Sequence, residues 1–184
     1  RFAECLIPLI DENEDQAIKT ATKSIDNFQT IYDQKWMSMM KSKLGLVGDN
    51  KDDLNLINSL LNWMEKNKAD YTNTFCYLMD MSIKDEIYKN KNFIDWINLW
   101  EKRSTLLNSN KEKQSEIMRK VNPLVIPRNH KVEEALTEAN KGNLNKMIDL
   151  LQVLKTPYDK HDKILDYQMP ASISNKKYQT FCGT

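Results

Sequence analysis

Residues 13–45 read NEDQAIKTATKSIDNFQTIYDQKWMSMMKSKLG, and this stretch decides the fold class. Ile18, Ala21, Ile25, Phe28, Tyr32, Trp36 and Met39 recur at three- and four-residue spacing, which is one apolar face of a long helix. Asn13 is placed to cap it, with Glu14 and Asp15 favourably set in the first turn against the positive end of the helix dipole. Gly45 follows Leu44 as a stop, because glycine takes the left-handed backbone that ends helices at little cost.

Working outward, Phe2 to Ile10 (FAECLIPLI) reads as the end of a buried helix that Pro8 weakens, with a polar break at residues 11–13. On the other side GLVGDN is a connector. Leu54, Ile57, Leu61 and Met64 mark the next helical face, with Leu60 beside it. Asp70 caps a short helix carrying Tyr71, Phe75, Leu78 and Met79. Phe93, Trp96, Ile97 and Trp100 form a further face, and Ile117 and Met118 sit on a short helix. In VNPLVIPRNHKVEEAL, Pro123 and Pro127 force extended backbone before them, and Asn129 is placed to cap a helix with Val132, Ala135, Leu136 and Ala139. Gly142 ends it. Leu144, Met147, Ile148, Leu151 and Leu154 make the last good helix, which Pro157 stops. No stretch alternates as a strand does. The expectation is an all-α, irregular multi-helix domain over residues 1–157, with about six to eight helices at ordinary helix lengths, followed by a tail over 158–184. The tryptophans Trp36, Trp63, Trp96 and Trp100 do not repeat at one interval, which argues against a solenoid.

Composition narrows the function classes. With four glycines and five prolines in 184 residues, the turns of a β-sandwich are not affordable, and neither is a glycine-rich phosphate loop. The net charge of +1 selects no partner. Basic residues gather between Lys84 and Lys131, but acidic ones interleave, so they read as solvated helix faces and no nucleic acid is expected. No apolar run is long enough to span a membrane, and a reducing cytoplasm is the expected location. Cys5, Cys76 and Cys182 form neither a disulfide framework nor, with His130 and His161, a zinc pattern. Cys5 and Cys76 sit among apolar residues on helices and read as buried. Glu133 and Glu134 read as residues placed near a helix start by the dipole. No catalytic, cofactor or metal residue emerges. The chain starts at Arg1 and enters FAECLIPLI directly, which reads as a segment of a longer protein.

Five stretches, in order, resemble the selenoprotein O family, the YdiU proteins of bacteria: WMSMMKSKLGL (36–46), DYTNTF (70–75), NPLVIPRNHKVEEAL (122–136), KGNLNKMIDLLQVLKTPYD (141–159) and YQTFCGT (178–184). The resemblance implies the C-terminal part of a protein-kinase-like fold. It implies a parent protein that uses ATP with Mg²⁺ or Mn²⁺ to move AMP onto hydroxyl side chains of protein substrates. The glycine-rich loop, the paired lysine and glutamate and the metal ligands of the family have no counterpart here, so no cofactor is expected in this chain. The expected partner is the N-terminal kinase-like half. The one functional position the resemblance carries over is Cys182, implicated in redox control in the family. Asn122, Pro123, Arg128 and Asn129 are expected to be structural: Arg128 donating to carbonyls of the proline-bounded segment, Asn129 capping the next helix. A different reading is an autonomous helical interaction module without catalysis. Self-association through Phe2, Leu6 and Leu9 is expected of the isolated chain.

Overall fold

A computed structural model describes residues 1–106, 110–160 and 164–171. Among these residues there is no strand. The chain runs through α1 (Phe2–Ile10), α2 (Glu14–Lys43), α3 (Asp53–Asn67), α4 (Tyr71–Asp80), a 3₁₀ turn (Glu86–Lys89), α5 (Lys91–Thr105), α6 (Lys111–Arg119), α7 (Asn129–Asn140), α8 (Asn145–Lys155) and α9 (Ile164–Gln168). The all-α expectation holds. The 3₁₀ turn and α9 exceed it, and both are too short to print an apolar period on the sequence. α9 lies within the stretch read as tail.

The predicted caps at the first two sites are in place. Asn13 accepts the amide N–H of Gln16 and Asp70 that of Asn73, so each side chain satisfies an orphan donor of its helix. α2 ends as expected. Its last residue is Lys43, and Gly45 follows at φ +63°.

The core lies between the C-terminal end of α2, α3, α4, the 3₁₀ turn, α5 and α6. Trp63 and Phe93 stack with ring centroids 4.3 Å apart, and Tyr77 stacks on Tyr88 at 4.2 Å. The indoles also tie helices together through their N–H groups. Trp96 Nε1 donates to the Leu56 carbonyl and Trp100 Nε1 to that of Leu44, both at 2.9 Å. A buried tryptophan needs such a partner, and here each partner lies on another element. Asp53 and Arg103, both buried, pair through two hydrogen bonds of 2.6 and 3.1 Å. Arg103 also reaches the Val47 and Gly48 carbonyls and so pins the α2–α3 connector.

Two expectations are corrected. On α3 the buried residues are Leu56, Ile57, Leu60, Trp63 and Met64, while Leu54 is exposed. The face is turned toward Trp63, whose large ring outweighs one leucine in setting the helix's rotation. α1 is not a buried helix: none of its residues is buried, and Cys5 is exposed. α1 turns back on α2 at Ala17 and touches little else, so its other faces remain open.

Candidate functional site

The segment 122–128 follows α6 and forms neither helix nor strand, with a bend at Leu124; its two prolines disfavour helical backbone at the residues before them. A backbone with no ladder partner must satisfy its polar groups elsewhere, and this one does so against four elements. Asn122, almost fully buried, donates from Nδ2 to the Lys43 carbonyl at the end of α2 at 2.8 Å. The Pro123 carbonyl accepts from Cys76 Sγ of α4 at 3.5 Å. The Leu124 N–H donates to the Pro157 carbonyl after α8 at 2.7 Å, and the Leu124 carbonyl accepts from Gln168 Nε2 of α9 at 3.1 Å.

Arg128 closes the segment. Its guanidinium grips the Asp70 carboxylate as a fork, at 2.7 and 3.0 Å, and reaches Asn73 Oδ1 at 3.2 Å. The expected partners, carbonyls of the proline-bounded segment, are not used. A planar fork fits a carboxylate better than scattered carbonyls. Asp70 thus caps α4 and anchors the segment at once. Burial pushes its carboxyl up, but the Arg128 hydrogen bond, the N–H groups of Asn73 and Thr72 and the guanidinium charge hold it below the usual range. Asn129 is not the cap of α7. That position belongs to Arg128, which makes no side-chain cap bond, and Asn129 is the first helical residue. The Arg128 carbonyl instead accepts the Val132 N–H at 3.0 Å.

Lys43 lies buried beside this hub, with its ammonium 4.5 Å from the Phe75 ring centre and 5.4 Å from that of Tyr71. Burial lowers its pKa. Cys76 is buried as expected, and burial pushes its thiol up to about 11, which makes it inert as a nucleophile at neutral pH. His130 is in the first turn of α7, and its pKa is lowered by burial and by the charges of Lys131 and Arg128. Glu133 and Glu134 lie one turn further into α7 than the dipole reading needs. Glu134 is paired with Lys131 and Lys146. Among the described residues no three His, Cys, Asp or Glu side chains come together as a metal site, and no helix is long and apolar enough to cross a membrane. Cys182 and His161 lie outside the described residues. Sequence reasoning missed Asp70 as the partner of Arg128 and Gln168 as the partner of Leu124. Both lie far away in sequence and carry no local signature.

The geometry of this hub is that of a scaffold, and comparison with known proteins supplies the rest. Residues 1–155 match the family described as protein adenylyltransferase SelO. A protein nucleotidyltransferase YdiU of Pelagibacter ubique is 52% identical over the whole chain. Proteins of the same name from Bacillus mycoides and Nitrosococcus oceani are 42% and 40% identical, also over the whole chain. The chain spans 38% of the length of each of these curated relatives.

Proposed function

The chain belongs to the SelO family, and from that premise we propose that it is the C-terminal helical region of a protein adenylyltransferase with a kinase-like fold. In the whole protein the hydroxyl oxygen of a Ser, Thr or Tyr side chain bonds to the α-phosphorus of ATP, pyrophosphate leaves, and the acceptor carries AMP. The ATP site, with its Mg²⁺ or Mn²⁺, belongs to the part of the relatives' length beyond this chain. The observation that carries the reading is the family match over residues 1–155 together with the 38% span of the relatives. The hub at 122–128 supports it, because a region that holds a catalytic half in place must itself be rigid. The exposed apolar face of α1 and α2 is the surface on which that half docks. Cys182 acts in this reading as a redox latch that pairs with a cysteine of the catalytic half, in a cytoplasmic protein.

Two measurements test this. Calorimetric titration of the 184-residue chain with ATP and Mg²⁺ shows no saturable heat, whereas the longer protein labels protein substrates with AMP. A micromolar dissociation constant for the chain alone overturns the placement of the nucleotide site. In the longer protein Cys182→Ala abolishes an oxidation-dependent change in activity, and an unaltered response to oxidation overturns the latch.

A second reading, an autonomous interaction module, is favoured by one observation: residues 22–35 of α2 are all exposed and include Ile25, Phe28, Ile31 and Tyr32. Removing this region from the longer protein decides between the two. AMP transfer survives the deletion if the region is only a module.

A further inference from the structure

A cavity of about 270 Å³ lies where the last turns of α4 and α5 meet α6. Its wall includes Leu78, Met79, Trp100 and Met118, of which Leu78, Trp100 and Met118 belong to the buried core. The indole N–H of Trp100 is spent on the Leu44 carbonyl, so this ring offers the cavity carbon alone. The methionines add polarisable, adaptable surface that packs well on an aromatic ring. Small-molecule pockets run from about 300 to 1,000 Å³, so this one suits a single ring system and not a nucleotide.

One polar side chain, more than nine-tenths buried, lines the same cavity. Gln114 is 8% exposed, and both its amide hydrogens are committed: Nε2 donates to Ser104 Oγ at 2.8 Å and to the Leu44 carbonyl at 3.3 Å. A flip of the amide would set its oxygen against the Leu44 carbonyl, so the orientation is fixed. Ser104 Oγ itself donates to the Trp100 carbonyl at 2.8 Å, which holds the arrangement in place. Gln114 Oε1 accepts no hydrogen bond among the described residues, yet it is not sealed from solvent. The amide can therefore accept from a ligand and cannot donate to one. At the mouth, Glu101 and Lys111 pair with each other at 3.4 Å. Met81, which also lines the cavity, is held at φ +54°, a region that a long side chain rarely enters. By contrast, the groove along α3 and α5 is floored by Asp53 and Arg103, which satisfy each other.

We propose that this cavity binds a small neutral aromatic compound with one O–H or N–H donor, of the phenol or indole class. The ring packs among Met79, Trp100 and Met118, with Met81 against its edge. The ligand's donor meets Gln114 Oε1. Apolar walls around a lone acceptor select for a ring with a donor, and they select against a carboxylate, which would bring only acceptors. The site does not depend on adenylyl transfer, and no step of that reaction passes through it.

The test is calorimetric titration of the 184-residue chain with phenol and with indole, beside anisole and N-methylindole, which keep the ring and lack the donor. The expected result is saturable binding in the millimolar range or tighter, with each donor-free analogue about tenfold weaker, the loss that goes with one hydrogen bond. Spectra of methyl-labelled methionine locate the ligand: the signals of Met79, Met81 and Met118 move on binding, and that of Met147 on α8 does not. Met81→Gly relieves the left-handed backbone, so the melting temperature of the unliganded chain does not fall, while the ligand binds more weakly. The proposal is overturned if neither ring compound saturates, if the donor-free analogues bind as well as their parents, if the methyl signals that move are those of other methionines, or if Met81→Gly binds as tightly as the parent chain.

Discussion

Arg128 and Asp70 make a tie whose strength can be read from its surroundings. The arginine side chain is 8% exposed and the aspartate 24%, so water shields the pair only from one side. Arg128→Ala leaves a half-buried carboxylate with backbone N–H partners alone, at an expected cost of about 2–4 kcal/mol. Arg128→Lys recovers only part, because an ammonium cannot form the fork. Asn129→Ala, at an exposed position with no cap bond, falls within about 0.5 kcal/mol of the parent. The tie also has a pH signature. Asp70's folded-state pKa lies below its unfolded value, so its contribution is complete above about pH 4 and is lost as pH falls through the lower folded value. The stability gap between the parent and Arg128→Ala is therefore constant from neutral pH to about 4 and narrows below it. Urea denaturation across that range checks this, and a gap that widens on acidification contradicts it. At this scale the sequence showed that residues 122–128 are kept out of helix by two prolines and must seek partners. It could not show which, because Asp70 is 58 residues away and many carboxylates compete for one arginine.

At the scale of elements, helix ends were more legible than helix faces. Ends are set by local chemistry: Asn13, Asp70, Gly45 and Gly142 act within a turn of themselves. Faces are set by neighbours, which is why α3 is rotated toward Trp63 and α1 lies open. The stop at Gly45 is fixed twice over. Its φ of +63° disfavours any side chain. A methyl group there would also stand 2.9 Å from the Gln114 carbonyl oxygen and 3.0 Å from Met118 Cγ of α6. Gln114 cannot retreat cheaply, since its Nε2 donates to Ser104 Oγ at 2.8 Å and to the Leu44 carbonyl at 3.3 Å. Gly45→Ala therefore combines backbone strain with overpacking and is expected to cost at least about 2 kcal/mol. Gly142→Ala has the same backbone sign at φ +85° but nothing within 4 Å of the added group, so it carries the strain alone. The two variants thus separate the effects. Equal losses in chemical denaturation would show that packing at Gly45 yields freely.

At the scale of the whole molecule, α2 does two different jobs along one helix. Its last turn is part of the core, through Met40 and Lys43. Its middle, residues 22–35, meets no other part of the described chain closely enough to be covered. Thirty residues of helix span about 45 Å, so this middle stands well clear of Met40. The periodicity of Ile18, Ile25, Phe28 and Tyr32 was legible in the sequence, but its meaning was not. An apolar stripe at helical spacing looks the same whether its cover lies in the same chain or in another. Phe28 and Tyr32 lie side by side with ring centroids 6.0 Å apart and tilted by 30°, and Phe2 and Leu9 of α1 are exposed as well. Of the three α1 residues expected to associate, Leu6 is half-buried while Phe2 and Leu9 are exposed. Contiguous apolar surface of this kind drives association. The isolated chain is expected to sediment as a concentration-dependent oligomer. Phe28→Ser with Ile25→Ser is expected to return it toward monomer while moving stability by no more than about 0.5 kcal/mol per exposed site. If the stripe were instead needed to hold α2 in place, the double variant would lower the melting temperature in proportion to the apolar area removed. If the unmodified chain stays monomeric at high concentration, the stripe does not associate in water, and a partner would have to bring its own driving force.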